Sequence, residues 1–167
     1  MLALLISAMM LVESGGDAGA VGDGSRALGV LQIHACVVKD VNRRYNANFT
    51  HADALDPEKA VRICRLYLAI YAGRRTEEDA RRRTPDAGRR QEQGRGRRTP
   101  DAGKTEGRGR RTEMSDEERL ARIWNGGPNG HRKAATLKYW KKVEKKYNEL
   151  LKARKTMLLT QRSENAS

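Results

Sequence analysis

Metal-binding and disulfide chemistry have little material in this sequence, because it holds only two cysteines and three histidines among 167 residues. The cysteines lie outside any CxxC motif, and no combination of cysteine and histidine has the spacing of a zinc site. The sequence therefore predicts no metal site and no cofactor. For Cys36 and Cys64 the choice is between one disulfide and two buried thiols, and a single pair without a disulfide framework favours thiols.

A long apolar run is also missing. The apolar run from Met1 to Val12 is too short to cross a bilayer, and it lacks the basic start and the small-residue cleavage site of a signal peptide. It is therefore predicted to be a buried first helix, with no membrane span. With 38% hydrophobic residues and a mean hydropathy of −0.80, part of the chain is expected to lie outside a packed core.

Acidic residues are a minority, since 21 of them face 34 basic residues and leave a net charge of +13. Such an excess predicts a polyanionic partner: nucleic acid, an anionic membrane or an acidic wall polymer. Charge alone does not choose among these three classes.

One carboxylate at the end of the apolar run is the main candidate for chemistry. Glu13 follows an almost uninterrupted apolar segment, where loss of hydration disfavours a charged carboxylate and raises its pKa toward the range of a general acid. Residues 15–30 then form a loop with six glycines, which let a substrate approach the backbone. Gln32 is an isolated polar residue in the segment GVLQI. The acid, the glycines and the amide together predict a cleft.

Apolar residues at helical spacing predict five helices and no strand, so the fold class is all-α. The predicted helices cover residues 2–14, residues 34–45, residues 57–72, a short stretch from Ser115 to the polar turn at Asn125, and about Lys133 to Arg154. Proline after Asp56 and a capping box at Ser115 predict two of the helix starts. The tail from Thr160 is polar and is predicted to fray.

The segment of residues 74–113 differs from the rest in composition. Its only apolar side chains are three alanines, and RRTPDAG occurs at residues 82–88 and again at 97–103. Such a segment cannot bury a core, so we predict a disordered Arg/Gly-rich insert in a compact helical domain. The predicted division is a first domain part at 1–73, the insert at 74–113, a second part at 114–155 and a tail at 156–167.

Two separated motifs match one family pattern. The first motif reads ESGG at residues 13–16, AVGD at 20–23 and GVLQI at 29–33, and the second reads WNGGP at 124–128 with TxxYxxxV at 136–143. In this order they resemble the soluble lytic transglycosylases, relatives of goose-type lysozyme in the lysozyme-like superfamily. The resemblance covers about residues 3–150 apart from the insert, and it implies a lysozyme-like helical fold.

The resemblance also implies a function: cleavage of peptidoglycan between N-acetylmuramic acid and N-acetylglucosamine, outside the cytoplasm or at the cell wall. Glu13 would be the general acid and base, and the substrate-contacting residues would be Ser14, Asp23, Gln32, Asn125 and Tyr139. A lytic transglycosylase needs no second carboxylate, because the sugar's own 6-hydroxyl attacks and gives a 1,6-anhydro product. In a hydrolytic, muramidase-like variant, Asp17 or Asp23 would position water.

Departures from the family pattern leave alternatives open. Trp124 replaces the usual tyrosine and is interpreted as a core residue rather than a sugar-stacking platform. His34, His51 and His131 are interpreted as ordinary surface or loop residues.

One alternative function is a basic nucleic-acid-binding protein that uses the insert, which however lacks interleaved aromatic residues. The other is an inactive cell-wall-binding domain; anionic polymers are possible partners of the basic insert.

Overall fold

The computed structural model describes residues 1–72 and 114–164, and in these ranges it contains five α-helices and one small sheet. The helices are α1 (Leu2–Glu13), α2 (Ala35–Tyr45), α3 (Pro57–Ala72), α4 (Asp116–Gly126) and α5 (Thr136–Glu164), with 3-10 turns at His51–Leu55 and Gly130–Arg132. The predicted all-α class is confirmed. The predicted insert at 74–113 lies outside the described residues, and the division of the chain into parts stays a prediction.

Helix α1 lies at the centre of the core, as its apolar composition predicts. Four of its side chains are at most 1% exposed: Leu5, Ile6, Ala8 and Met9. The helix runs antiparallel to α5, because Glu13 at its end contacts Tyr139 and Met1 at its start contacts Tyr147. This packing places the last turn of α1 against the first turn of α5.

The remaining helices complete the core and begin where the sequence predicts. Buried side chains come from α2, α3, α4 and α5, among them Val41, Ile63, Leu68, Ile123 and Val143. The Asp56 carboxylate accepts hydrogen bonds from the first backbone N–H groups of α3, and Ser115 Oγ accepts one from Glu118 N at 3.1 Å. These caps satisfy N–H groups that have no partner within a helix.

The expectation of no strand is wrong in the glycine-rich segment. Three antiparallel two-residue strands lie there: β1 (Val21–Gly22), β2 (Ala27–Leu28) and β3 (Ile33–His34), with Leu28 paired to both Val21 and Ile33. Strands this short carry no alternation of polar and apolar residues that a sequence pattern can reveal. Gly29 follows β2 directly and is confined to glycine, because it has φ +71° and an added Cβ would overlap the Ala54 carbonyl.

Helix α5 continues to Glu164, so the predicted end at Arg154 is wrong, while the predicted fraying from Thr160 stays a prediction. The reason is local: no glycine or proline follows Arg154 within the helix, and lysine, methionine and leucine favour helix. The extension carries exposed apolar side chains at Met157, Leu158 and Leu159. In the part of the chain that is described, no helix combines the length and apolar character needed to cross a membrane.

The two cysteines are free and differ in burial. Cys64 is buried in α3, as predicted, but Cys36 is exposed, so the prediction of two buried thiols is wrong for Cys36. Cys36 lies in the first turn of α2 on the same side as Lys39, and this side faces solvent while Val38 and Val41 face the core.

Candidate active site

A groove of about 280 Å³ opens beside the end of α1. Its lining comes from α1, the small sheet, α2 and α4, and consists of Glu13, Asp23, Ala27, Gln32, His34, Val37, Trp124 and Asn125. Four of the six predicted site residues therefore share one groove. The two that are not part of this lining are Ser14 and Tyr139.

Tyr139 lies beside Glu13, in the first turn of α5. Its hydroxyl donates a hydrogen bond to Glu13 Oε1 at 2.8 Å. The Trp124 side chain makes a second hydrogen bond to the same carboxylate, for which its indole N–H is the only donor. Two neutral donors from different helices thus orient the carboxylate of Glu13.

Burial raises the pKa of the Glu13 carboxyl above its ordinary value of 4.5, because the loss of hydration outweighs the two hydrogen bonds that favour the ionised form. The pKa of the Tyr139 hydroxyl is also raised, first by burial and then by the neighbouring charge of Glu13, so this hydroxyl stays a donor. Burial likewise raises the pKa of the Cys64 thiol, which therefore does not act as a thiolate. Of Glu13, Tyr139 and Cys64, the Glu13 carboxyl is therefore the group best suited to proton transfer.

Ser14 fixes the end of α1. Its hydroxyl donates to the Val30 carbonyl at 3.0 Å and accepts from the Gly16 N–H at 3.2 Å. Val30 is buried, so this bond ties the helix end to the core beside the groove. The predicted contact of Ser14 with substrate stays a prediction.

Gln32 combines a structural and a groove-lining position. Its Nε2 donates to the carbonyls of Ala20 and Gly29 at 3.2 and 3.0 Å, and its own φ is +47°. Its Oε1 lies so close to Gly22 that an added Cβ on Gly22 would overlap it. The amide nitrogen therefore holds the loop together, while the side chain lines the groove.

Of the two acids considered as second carboxylates, only Asp23 lines the groove. Its Oδ1 accepts a hydrogen bond from Arg26 Nη2 at 2.7 Å, and its Oδ2 lies 3.6 Å from His34 Nε2. Asp17 instead accepts from the Gly19 N–H at 2.8 Å and is exposed on the loop. Any second carboxylate that residues 1–72 and 114–164 supply to this groove is therefore Asp23.

A family model for the transglycosylase SLT domain matches residues 2–93, more than half of the chain. The chain belongs to the transglycosylase SLT domain family. The comparisons with curated proteins and with solved structures found no match. Family membership supports a peptidoglycan-cleaving function of the lytic transglycosylase type, with peptidoglycan as substrate and action outside the cytoplasm.

The family match includes Glu13, Asp23 and Gln32 but ends before the second motif. Asn125 and Tyr139 lie beyond it, and the fold of this SLT domain is what places Asn125 on the groove and Tyr139 against Glu13. In residues 1–72 and 114–164, no three metal-ligating side chains lie close enough to hold an ion.

Sequence reasoning missed the role of Arg122 in this SLT domain. This side chain is buried and donates to Glu118 Oε1 at 2.6 Å, to Thr136 Oγ1 at 3.0 Å and to the Lys133 carbonyl at 3.1 Å. Arg122 lies one turn before Asn125, and Thr136 one turn before Tyr139, so the bond between Arg122 and Thr136 joins the helix segments that precede the two site residues. The available signal was the spacing of Glu118 and Arg122, which is that of an i,i+4 ion pair.

The sequence also did not predict that Trp124 and His34 line the groove. Trp124 does pack at the core edge, with its ring edge-to-face to Tyr67 at 5.8 Å, but it also lines the groove and contacts Glu13. The interpretation of His34 as an ordinary surface residue is incomplete, because His34 lines the groove as well. For both residues the position in the groove depends on segments that are distant in sequence.

Proposed function

We propose that this SLT domain is a lytic transglycosylase that cleaves the bond between N-acetylmuramic acid and N-acetylglucosamine, with Glu13 as general acid and then base. The observation that supports this most is the partly buried Glu13 carboxylate on the groove, oriented by the Tyr139 hydroxyl at 2.8 Å. The direction of the Glu13 pKa supports the same role, because a carboxyl that keeps its proton to higher pH can donate it to a leaving group.

The reaction divides into two proton transfers at the same carboxyl. In the first, Glu13 donates its proton to the glycosidic oxygen while the bond from that oxygen to C1 breaks. In the second, the ionised Glu13 accepts the proton of the muramic 6-hydroxyl while its oxygen bonds to C1 and closes the 1,6-anhydro ring. The hydrogen bonds from Tyr139 and Trp124 favour the ionised form that exists between these steps.

Polar groups along the groove are suited to binding the sugars. The Asn125 amide can donate to and accept from sugar hydroxyl and acetamido groups. Gln32 Oε1 and the Asp23 carboxylate can accept from them, because the Gln32 amide nitrogen already donates to two backbone carbonyls. We propose these three as substrate contacts, with Tyr139 acting through Glu13.

Hydrolysis is the second candidate reaction, and the position of Asp23 is the observation that favours it. An acid that lines the same groove as Glu13 can position a water molecule for attack at C1. The nucleic-acid alternative depends on residues 74–113, outside the described residues, and it gives no reason for the buried Glu13 and its donors. An inactive wall-binding domain leaves the same feature without a role.

Clearing of purified cell walls tests the catalytic role of Glu13. We expect Glu13→Gln to clear walls about 10³-fold more slowly than the wild type, because the general acid and base is lost. Glu144→Gln, which removes the same charge from an exposed position on α5, serves as the matched control and should clear like the wild type. Equal clearing by wild type and Glu13→Gln, or none by either, contradicts the proposal.

Mass spectrometry of the products separates the two reactions. A transglycosylase gives 1,6-anhydro ends, and Asp23→Asn should then slow it by no more than about tenfold, the cost of one hydrogen-bonding partner. Reducing ends from the wild type, together with inactivity of Asp23→Asn, would instead assign hydrolysis with Asp23 as the residue that positions water.

A further inference from the structure

Both hydrogen-bond donors to the Glu13 carboxylate lie near the junction of α4 and α5. The Trp124 indole comes from the last turn of α4, and the Tyr139 hydroxyl comes from the first turn of α5. The chain between these two helices consists of residues 127–135. The two donors reach one carboxylate together only while the two helix ends keep a fixed relative position.

A buried hydrogen bond joins these helix ends. Arg122 Nε donates to Thr136 Oγ1 at 3.0 Å, and both residues are at most 5% exposed. We call this hydrogen bond the α4–α5 bond. Arg122 precedes Asn125 by three residues, and Thr136 precedes Tyr139 by three residues. Each partner of the bond therefore lies on the same helix face as the site residue one turn further on.

The two partners of the α4–α5 bond are themselves held in place. Arg122 also donates to Glu118 Oε1 at 2.6 Å and to the Lys133 carbonyl at 3.1 Å, so its guanidinium is fixed in one orientation. The Thr136 hydroxyl donates its single hydrogen to the carbonyl of Gly130 or of Lys133, each 2.8 Å away. Its oxygen therefore accepts the bond from Arg122.

Close packing beside the α4–α5 bond leaves little room for the helices to shift. An added Cβ at Gly126, the last residue of α4, would overlap the Thr136 methyl group. An added Cβ at Gly130 would overlap the Arg122 carbonyl. In addition, Lys133 Nζ donates to the Gly126 carbonyl at 2.7 Å. The backbone of α4 is thus in close contact with the turn and with the start of α5.

We propose that Arg122 and Thr136 are positioning residues, and that the α4–α5 bond keeps both donors on the Glu13 carboxylate. Neither residue lines the groove, so they act through Trp124 and Tyr139. The consequence for catalysis rests on the proposed function of Glu13. Because both donors favour the ionised carboxylate, loss of the α4–α5 bond should raise the pKa of Glu13 further.

The other titratable groups around Glu13 come from other elements or stay neutral. Cys64 on α3 is buried, and burial raises the pKa of its thiol, so it carries no charge. The Tyr139 hydroxyl also has a raised pKa and stays protonated. Asp23 and His34 line the groove from the small sheet and its turn. A change in the Glu13 pKa on loss of the α4–α5 bond is therefore assigned to the two donors.

Substitutions at Thr136 test the proposal while keeping the volume of the side chain. Thr136→Val removes the hydroxyl, whereas Thr136→Ser keeps it and is the matched control. Arg122 is a less suitable target, because removal of one partner of a buried ion pair strongly destabilises a protein. Val41→Ala is the control for lowered stability alone, since Val41 is a core residue of α2 that does not line the groove.

The first measurement needs no substrate. The Glu13 carboxyl is followed by carbon-13 NMR as the pH is changed, with Glu13→Gln to assign its signal. We expect the midpoint of this titration to rise by about half a pH unit or more in Thr136→Val, the effect of weakened hydrogen bonds to the ionised form. Thr136→Ser and Val41→Ala should keep the wild-type midpoint. An unchanged midpoint in Thr136→Val, or an equal rise in Val41→Ala, overturns the proposal.

The second measurement is the clearing of purified cell walls. Thr136→Val should slow clearing about tenfold in the wild-type background but only about threefold in a Tyr139→Phe background, where Trp124 is the one donor left to lose. The same fold change in both backgrounds overturns the proposal. If the wild type clears no walls while the Glu13 midpoint still rises in Thr136→Val, the proposed function fails and the positioning role of the α4–α5 bond is supported.

Discussion

Two carboxylates line the same groove in opposite surroundings. Glu13 is largely buried and its partners are neutral donors, the Tyr139 hydroxyl and the Trp124 indole. Asp23 has a side chain that is 47% exposed and a cationic partner, Arg26, at 2.7 Å. Burial among neutral donors raises a carboxyl pKa and suits proton transfer, whereas exposure beside a guanidinium suits the binding of polar groups.

The two acids also lie on different kinds of backbone, a helix end packed in the core and a turn of the small sheet. Glu13 ends a helix that packs through the centre of the core, and Ser14 ties this helix end to buried Val30. Asp23 lies in the turn between two-residue strands and has a φ of +50°. A helix end packed in the core positions a side chain more precisely than a turn does.

The largest effect on the Glu13 side of this comparison should come from Tyr139→Phe. Removing a hydrogen bond to an ionised carboxylate should lower kcat/KM by about 10- to 100-fold. This hydrogen bond lowers the Glu13 pKa, so its removal raises that pKa further. The limb of the pH–rate profile on which activity falls with rising pH should then move to higher pH.

Tyr147→Phe is the control for this variant, because Tyr147 is also a buried tyrosine of α5 but its hydroxyl lies against Met1, away from the groove. Its profile should match the wild type. A Tyr139→Phe enzyme with an unmoved alkaline limb would show that the hydroxyl does not act on Glu13.

The sequence was sufficient for the parts of this fold that depend on local patterns. Asp56 and Ser115 mark helix starts by capping, and apolar spacing predicts all five helices within a few residues except at the end of α5. The small sheet escaped prediction because its strands are held by turns with positive φ at Asp23 and Ser25, which a pattern of apolar residues does not encode.

For the candidate site, the sequence predicted which residues lie together, but it did not predict which contacts they make. Glu13, Gln32 and Asn125 were selected by motif, and the groove brings them together. Tyr139 was expected to contact sugar, but its hydrogen bond to Glu13 depends on two helices that meet only in the folded chain. Arg122 carries no motif beyond its i,i+4 spacing to Glu118, because its other partners are Thr136 at the start of α5 and the Lys133 carbonyl in the turn before it.

A smaller effect is expected on the sheet side of the groove, from Gly22→Ala. The added methyl group would meet Gln32 Oε1, the end of a flexible side chain, and Gly22 has no positive φ. The fold should tolerate the change while Gln32 shifts, so we expect KM to rise about three- to tenfold, the effect of one weakened hydrogen bond. Steady-state kinetics and denaturant unfolding together check this.

Gly29→Ala provides the contrast. Its methyl group would meet the Ala54 backbone and its φ is +71°, so the free energy of unfolding should fall by about 2 kcal/mol or more. If Gly22→Ala lowers stability as much as Gly29→Ala and leaves KM unchanged, the role of Gln32 is structural only and its contact with substrate is contradicted.

The smallest effect is on stability and concerns Glu13 itself. Because the folded state raises the Glu13 pKa above 4.5, the folded protein binds this proton more tightly than the unfolded chain does. The stability that this group contributes is therefore fully present below pH 4.5, and it is lost as the pH rises through the raised pKa of Glu13 in the folded state. Glu13→Gln cannot ionise, so it should unfold at higher denaturant concentration than the wild type at neutral pH, and the two curves should converge in acid.

Asp23→Asn sharpens this last comparison. An exposed ion pair contributes at most about 1 kcal/mol, so losing the Asp23 charge should leave stability unchanged or slightly lower at neutral pH. Glu13→Gln should thus raise the denaturant midpoint of unfolding at neutral pH, whereas Asp23→Asn should lower it slightly or leave it unchanged. Were Glu13→Gln to destabilise the protein at neutral pH, burial would not be the dominant influence on this carboxyl, and the contrast between the two acids would fail.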